Sequence, residues 1–335
     1  MKKHQIALLV LLSVAAAITV ACGNSSNPVY SNMAVNSDRN GSTGTPLFTM
    51  SVGGSSVTPV SIGTTDIWGP SVSADFKTVT YVTDGEVWSI SPAGGTPTQL
   101  SQNAANNTGS DTAEISPNGQ KIVYPVFNDS VAGASIWIMN ADGSGSTNLT
   151  PTLPAGMTYC YVASFSADSS RIVFACTDSS TVNFALYTMK IDGTQVTNVL
   201  TQSTWLDTPY FTPNGKQILY TTFGTPGDAQ AHKVGRTGFR AMNSRAHPDG
   251  TPVPVSNSGI ASVNIDGSNP IILLPATNLI DESVILNSNL YYTVLDPNVN
   301  KWQIYKANLD GTGSVSISDG TADDLLSACG FCYYN

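Results

Sequence analysis

A turn signal that recurs six times constrains this chain more than any other feature. It reads Val52-Gly53-Gly54, Ala93-Gly94-Gly95, Ala141-Asp142-Gly143, Ile191-Asp192-Gly193, Ile265-Asp266-Gly267 and Leu309-Asp310-Gly311. Asp-Gly and Gly-Gly supply the positive φ angles that tight hairpins demand. A short alternating strand precedes each turn, for example Val87-Trp88-Ser89-Ile90, Ile136-Trp137-Ile138-Met139 and Leu186-Tyr187-Thr188-Met189. A second strand follows, often closing on Leu-Ser or Leu-Thr, as at Leu100-Ser101, Leu149-Thr150 and Leu200-Thr201.

Another hairpin alternates with the first. Its turn reads Ser73-Ala74-Asp75, Ser116-Pro117-Asn118-Gly119, Ser166-Ala167-Asp168 and Thr212-Pro213-Asn214-Gly215, with Asn287-Ser288-Asn289 as a weaker version. The strand after it is apolar on both faces, as in Ile122-Val123-Tyr124, Ile172-Val173-Phe174 and Ile218-Leu219-Tyr220, which predicts burial between layers. Two hairpins make a four-stranded sheet, repeating about every 41–50 residues except across one insertion. Sheets of this size and period stack radially as propeller blades. Residues 47–61 supply only the second hairpin of a blade. Residues 323–335 supply only a first hairpin, Asp324–Cys329 and Phe331–Tyr334. Joined, they predict a closed, monomeric, all-β propeller of six four-stranded blades over residues 47–335.

Asp207-Thr208-Pro209-Tyr210-Phe211-Thr212-Pro213-Asn214-Gly215-Lys216-Gln217-Ile218 resembles the repeat of TolB-type propellers, Asp-x-x-Pro-x-Phe-Ser-Pro-Asp-Gly-Lys-x-Ile. The resemblance implies a propeller that binds protein partners or small ligands at one face. TolB itself carries an α/β domain ahead of its propeller, where this chain has a polar segment, so contacts through that domain do not transfer.

Residues 1–21 read as a signal peptide: Lys2 and Lys3, then an apolar run from Ile6 to Ala21 too short to span a bilayer. Ile18-Thr19-Val20-Ala21-Cys22-Gly23 resembles a bacterial lipobox, with Thr19 where Leu is usual, which implies acylation of Cys22. Gly23, rather than Asp, after the cysteine favours the outer membrane. Residues 22–46, rich in Ser, Asn, Gly and Thr, are expected to be a flexible tether with a reach of roughly 25–30 Å. The start of a calcium loop at Asn36–Gly41 is rejected, because Leu47 stands where the bidentate Glu belongs.

The net charge is −9, and loss of Lys2 and Lys3 with the leader takes it to −11. Such a surface repels nucleic acid and gives no general attraction to anionic lipid. Four cysteines remain after Cys22. Cys160 and Cys176 flank one turn and fall near-opposite on adjacent strands, and Cys329 and Cys332 flank Gly330-Phe331. Either pair is a disulfide candidate; free buried thiols, or a redox Cys-x-x-Cys at Cys329 and Cys332, are the alternatives, and the hairpin context argues against the redox motif.

An acid precedes the first strand of several blades: Asp111, Asp207, Asp281 and Asp324, with Trp68 (Asp66 nearby) and Tyr161 at the matching places. Symmetry places them around the channel mouth. They are either a ring for a divalent cation or basic partner, or local caps that hydrogen-bond turn amides. Residues 225–258 form an insertion in the fifth blade carrying His232, Lys233, Arg236, Arg240, Arg245 and His247. This basic segment is a candidate for pairing with those carboxylates or with an acidic partner. No Gly-x-Ser-x-Gly elbow and no histidine pair at metal spacing is present. The expectation is a non-catalytic, lipid-anchored envelope module with no cofactor. The alternative is a lyase- or lactonase-like metal or small-ligand site at the mouth.

Overall fold

The computed structural model describes residues 27–37, 39, 46–60, 67–103, 108–128, 133–150, 152, 156–178, 183–223, 258–278 and 280–326. They contain strands and turns and no α-helix. In chain order the strands begin with β1 (Asn32–Ser37), β2 (Leu47–Ser51), β3 (Val57–Pro59), β4 (Trp68–Val72), β5 (Val79–Thr83), β6 (Glu86–Ile90) and β7 (Thr98–Gln99). Next come β8 (Thr108–Gly109), β9 (Glu114–Ile115), β10 (Lys121–Asn128), β11 (Gly133–Asn140), β12 (Thr147–Asn148), β13 (Met157–Phe165), β14 (Arg171–Asp178), β15 (Phe184–Lys190) and β16 (Thr197–Gln202). The series ends with β17 (Trp205–Phe211), β18 (Gln217–Phe223), β19 (Ser258–Asn264), β20 (Ile271–Asn278), β21 (Ile280–Leu286), β22 (Asn289–Asp296), β23 (Lys301–Asn308), β24 (Val315–Ser316) and β25 (Asp324–Leu325).

The propeller arrangement is present, but the expected six separate blades are not. The strands form five sheets: four discrete four-stranded blades, β4-β5-β6-β7, β17-β18-β19-β20, β21-β22-β23-β24 and β25-β1-β2-β3, and one continuous nine-stranded sheet from β8 to β16. A single parallel pairing, Ala134 with Tyr159, makes β11 and β13 neighbours in that sheet. A bond between neighbouring repeats leaves no mark on the period, so the sequence count missed it.

Closure also differs from the expectation. Of the C-terminal segment, only β25 joins the closing sheet among the described residues. Its other inner partner is β1, formed by residues 32–37 that read as tether; Asn36 pairs with Leu325 and Ser37 with Asp324. The burial of Met33, Ala34 and Val35 explains the choice, since three successive apolar residues on a middle strand fill the space between sheets. Phe331–Tyr334, Cys329 and Cys332 lie outside the described residues, as do Cys22 and the leader.

Each sheet has two ends. The turns between first and second strands and between third and fourth share one, called here the turn end. The links between second and third strands share the other, called the mouth end. The first kind of turn is built by its hydroxyl residue: Ser116 Oγ accepts the amide of Lys121 at 2.9 Å and donates to Asn118 Oδ1 at 2.7 Å. The second kind packs on the preceding repeat. A Cβ on Gly267, whose φ is +83°, would stand 2.5 Å from the carbonyl oxygen of Val199, so only glycine fits. Gly54 meets Ile317 in the same way, which brings the N-terminal strands against the last blade and closes the ring. The middle strands form the core. Ile122, Val123, Ile172, Val173, Phe174 and Ile218 are fully buried, each contributing roughly 1.5–3 kcal/mol of hydrophobic stabilisation.

Candidate functional site

The first strands face the axis, and their backbones are irregular at matching places. Pairing slips between Trp68 and Ser71, Tyr161 and Ala163, Asp207 and Tyr210, and Ile280 and Ser283. In three of these Gly69, Val162 and Thr208 take φ of +48°, +39° and +41°. A bulge of this kind bends the strand and re-aims the side chains on either side of it. Here it separates two tiers, the residue that opens the strand and the residue three further on.

The upper tier contains the acids read from the sequence, and the structure divides them. Asp207 is buried, and its Oδ1 accepts the Thr208 amide at 2.7 Å. Asp111 lies close enough for the two charges to interact. Enclosure by protein, and secondarily Asp207, push its carboxyl up to about 8. Its Oδ1 is buried without a hydrogen-bond partner. Asp324, fully buried, instead serves ring closure: it accepts from Ser37 Oγ at 2.7 Å and from Arg39, whose Nη2 stands at 2.6 Å. Trp68 packs with Val82, Val87, Ala113 and Ile115 between sheets. Tyr161 is buried, and its hydroxyl donates to the Leu206 carbonyl at 2.9 Å. Asp281 belongs to β21, and its side chain lies outside the described residues.

The lower tier was not singled out in the sequence. It holds Glu114, three residues after Asp111, and Tyr210, three after Asp207. Glu114 Oε1 accepts the Phe165 amide at 3.0 Å, and the Tyr210 hydroxyl bonds the same carboxyl. Burial outweighs both bonds and pushes Glu114 up to about 8. Tyr210 titrates well above its ordinary value because of burial first and Glu114 second. Both groups retain some accessible surface because they face the channel, while protein surrounds them on the other sides. They line a cavity of about 120 Å³ together with Met33, Pro70, Phe165 and Leu286. That volume holds roughly four waters. It admits a side chain, a small ion or a small ligand.

Asn27, Pro28 and Tyr30 border this cavity from the turn end. Tyr30 is tied there twice: its amide donates to Asn287 Oδ1 at 2.7 Å, and Asn287 Nδ2 donates to its carbonyl at 2.6 Å. Burial, then Glu114, raises the Tyr30 phenol. The signal for this tier was present in the repeat. Stepping three residues from each mouth position gives Ser71, Glu114, Ser164, Tyr210 and Val284, of which Glu114 alone carries charge.

Among the described residues no group of three or more His, Cys, Asp or Glu could hold a metal ion. His232, Lys233, Arg236, Arg240, Arg245 and His247 lie outside the described residues. The strands on either side, β18 and β19, meet that segment at the mouth end. Cys160 and Cys176 pair directly across β13 and β14 and form a disulfide, with Cα atoms 4.0 Å apart.

No family model matches the chain, and no curated protein matches its sequence. Its likeness is to solved structures. A TolB from Acinetobacter baumannii superposes with a TM-score of 0.61 at 13% identity, covering 88% of this chain and 65% of that one. A putative TolB from Agrobacterium tumefaciens gives 0.55 at 17% identity, covering 90% and 91%. A chain of a nidogen/laminin complex gives 0.58 at 13% identity, covering 89% and 100%. The class is therefore an all-β propeller. Within that class the fold is the TolB type, as the Asp207–Ile218 repeat implied.

Proposed function

We propose that this chain is an exported, lipid-anchored propeller that binds a protein partner at the mouth end of its channel and carries out no catalysis. The observation that carries this reading is the paired Asp111 and Asp207. Asp207 disfavours the charge on Asp111 in this enclosed rim, and a cationic group placed there would offset both acids and let Asp111 give up its proton. A partner's Lys or Arg side chain supplies one, and the throat below has room for that side chain. Anchoring rests on Cys22 and the leader before it, and Gly23 favours the outer membrane. The basic segment 225–258, between strands that meet it at the same end, is a second contact for the partner.

The test is capture from detergent-solubilised envelope by the lipid-free protein, compared with Asp111→Asn/Asp207→Asn and with a form lacking residues 225–257. Capture lost in the Asn variant supports the acidic mouth. Capture lost only with the deletion moves the site to the inserted segment. No capture by the parent, with calcium or manganese bound stoichiometrically in calorimetry, replaces this reading with a cation site. Asp111 Oδ1, buried without a partner, is the observation that favours that second reading.

A further inference from the structure

We infer that the turn end of the propeller faces the bilayer and rests on zwitterionic lipid, so that the mouth end points away from the membrane. This rests on the reading of Cys22 as the lipidated residue.

Two independent observations lead there. The first is chain geometry. β1 is the second strand of its sheet and starts at the turn end, where Asn32 pairs with Ser51. Tyr30 is fixed at that end by Asn287, in the turn between β21 and β22. From Cys22 to Asn27 is five residues, which span at most about 18 Å. An eight-residue strand such as β10 spans roughly 26 Å from end to end. The free tether is thus shorter than the propeller is deep. It cannot reach from the turn end, around the side, to a bilayer lying against the mouth.

The second observation is where apolar surface is left uncovered. Among the described residues six large apolar side chains stand exposed, and five lie at the turn end: Val29, Val196, Ile271, Ile272 and Val315. Val196, Ile271, Ile272 and Val315 sit at the starts of β16, β20 and β24, the outer strands of three successive repeats. Only Val299 lies at the mouth end. Apolar groups gathered on the tethered face fit an interfacial contact. Charge on that face is mixed. The turn aspartates Asp142, Asp192, Asp266 and Asp310 lie there, each held below the usual carboxylate range by its own turn, and exposed Lys77, Lys190 and Lys216 lie among them. Interspersed charges of both signs suit zwitterionic headgroups and give no general attraction to lipid of one sign.

The experiment uses the full chain, processed in cells and placed in phosphatidylcholine vesicles carrying an acceptor dye on their headgroups. A donor dye is attached at Pro270→Cys, at the turn end, or at Val299→Cys, at the mouth end, both with Cys329→Ser and Cys332→Ser. Intact mass reports acylation of Cys22. With acyl chains present, greater loss of donor emission from position 270 than from 299 is expected. Equal or reversed losses with acyl chains present overturn the orientation while leaving the anchor intact. A mass without acyl chains overturns the anchor and the orientation with it.

Discussion

Replacing Asp111 with Asn tests the electrostatics of the mouth, because it removes the charge while keeping the shape. In the folded chain the Asp111 carboxyl is pushed up to about 8, chiefly by enclosure and then by Asp207. In the unfolded chain it titrates near 3.9. A group whose folded value is raised gives stability that is fully present below the unfolded value and lost as pH climbs through the folded one. At about 1.4 kcal/mol per pH unit, the four-unit gap sets a ceiling of roughly 5–6 kcal/mol. Water in the channel screens the site, so about half of that ceiling is expected. The assay is urea unfolding between about pH 5 and pH 8, monitored by tryptophan fluorescence. The parent should lose stability steadily over that range. Asp111→Asn should lose less, by roughly 2–3 kcal/mol, and match or exceed the parent at the upper end. Glu114, also raised to about 8, keeps a residual slope in both proteins. Identical slopes would show that Asp111 is ionised and solvated in the folded state, and the argument for a cation-seeking mouth would fail with it.

Four further outcomes follow from turn geometry, the disulfide and the buried ion pair. Gly267→Ala, with its Cβ 2.5 Å from the Val199 carbonyl at φ +83°, should lower stability by about 1–3 kcal/mol in chemical unfolding. Gly53→Ala, which meets nothing within 4 Å, should stay within about 0.5 kcal/mol of the parent. Cys160→Ala with Cys176→Ala opens a link between residues 16 apart, and should cost about 3 kcal/mol relative to the oxidised parent. Arg39→Ala leaves fully buried Asp324 without its guanidinium, which should cost about 3–5 kcal/mol and show as a lower urea midpoint.

Much of the fold was legible in the sequence because propeller repeats are local. The Asp-Gly turns, the Ser-Pro-Asn-Gly turns and the apolar strands between them each satisfy their own backbone within a few residues. Cys160 and Cys176 were legible for the same reason, since counting outward from one hairpin turn sets a cross-strand register. The acids at Asp111 and Asp207 were visible as a repeat position, but their different fates were not. Asp324 has the same place in the repeat and is taken by Arg39, 285 residues away along the chain. Glu114 and Tyr210 were overlooked because side chains three residues past the acid read as ordinary strand residues until the irregular first strands, broken between β8 and β9 and bulged between Asp207 and Tyr210, bring them to one cavity.

The sequence by itself determined the hairpin repeat, the turn chemistry, the acidic net charge and the propeller type, all of which follow from short-range geometry and composition. Only the tertiary structure decided which strands closed the ring, where two repeats became one nine-stranded sheet, and which carboxylates were left facing the channel. Those outcomes depend on groups far apart in the chain competing for the same buried space and the same hydrogen bonds. Residues 32–37 show the difference most clearly. Read alone, Asn32–Ser37 is part of a polar tether. Placed beside β25 and β2, its three apolar side chains fill the closing sheet and leave four residues between Cys22 and Asn27, the first described residue.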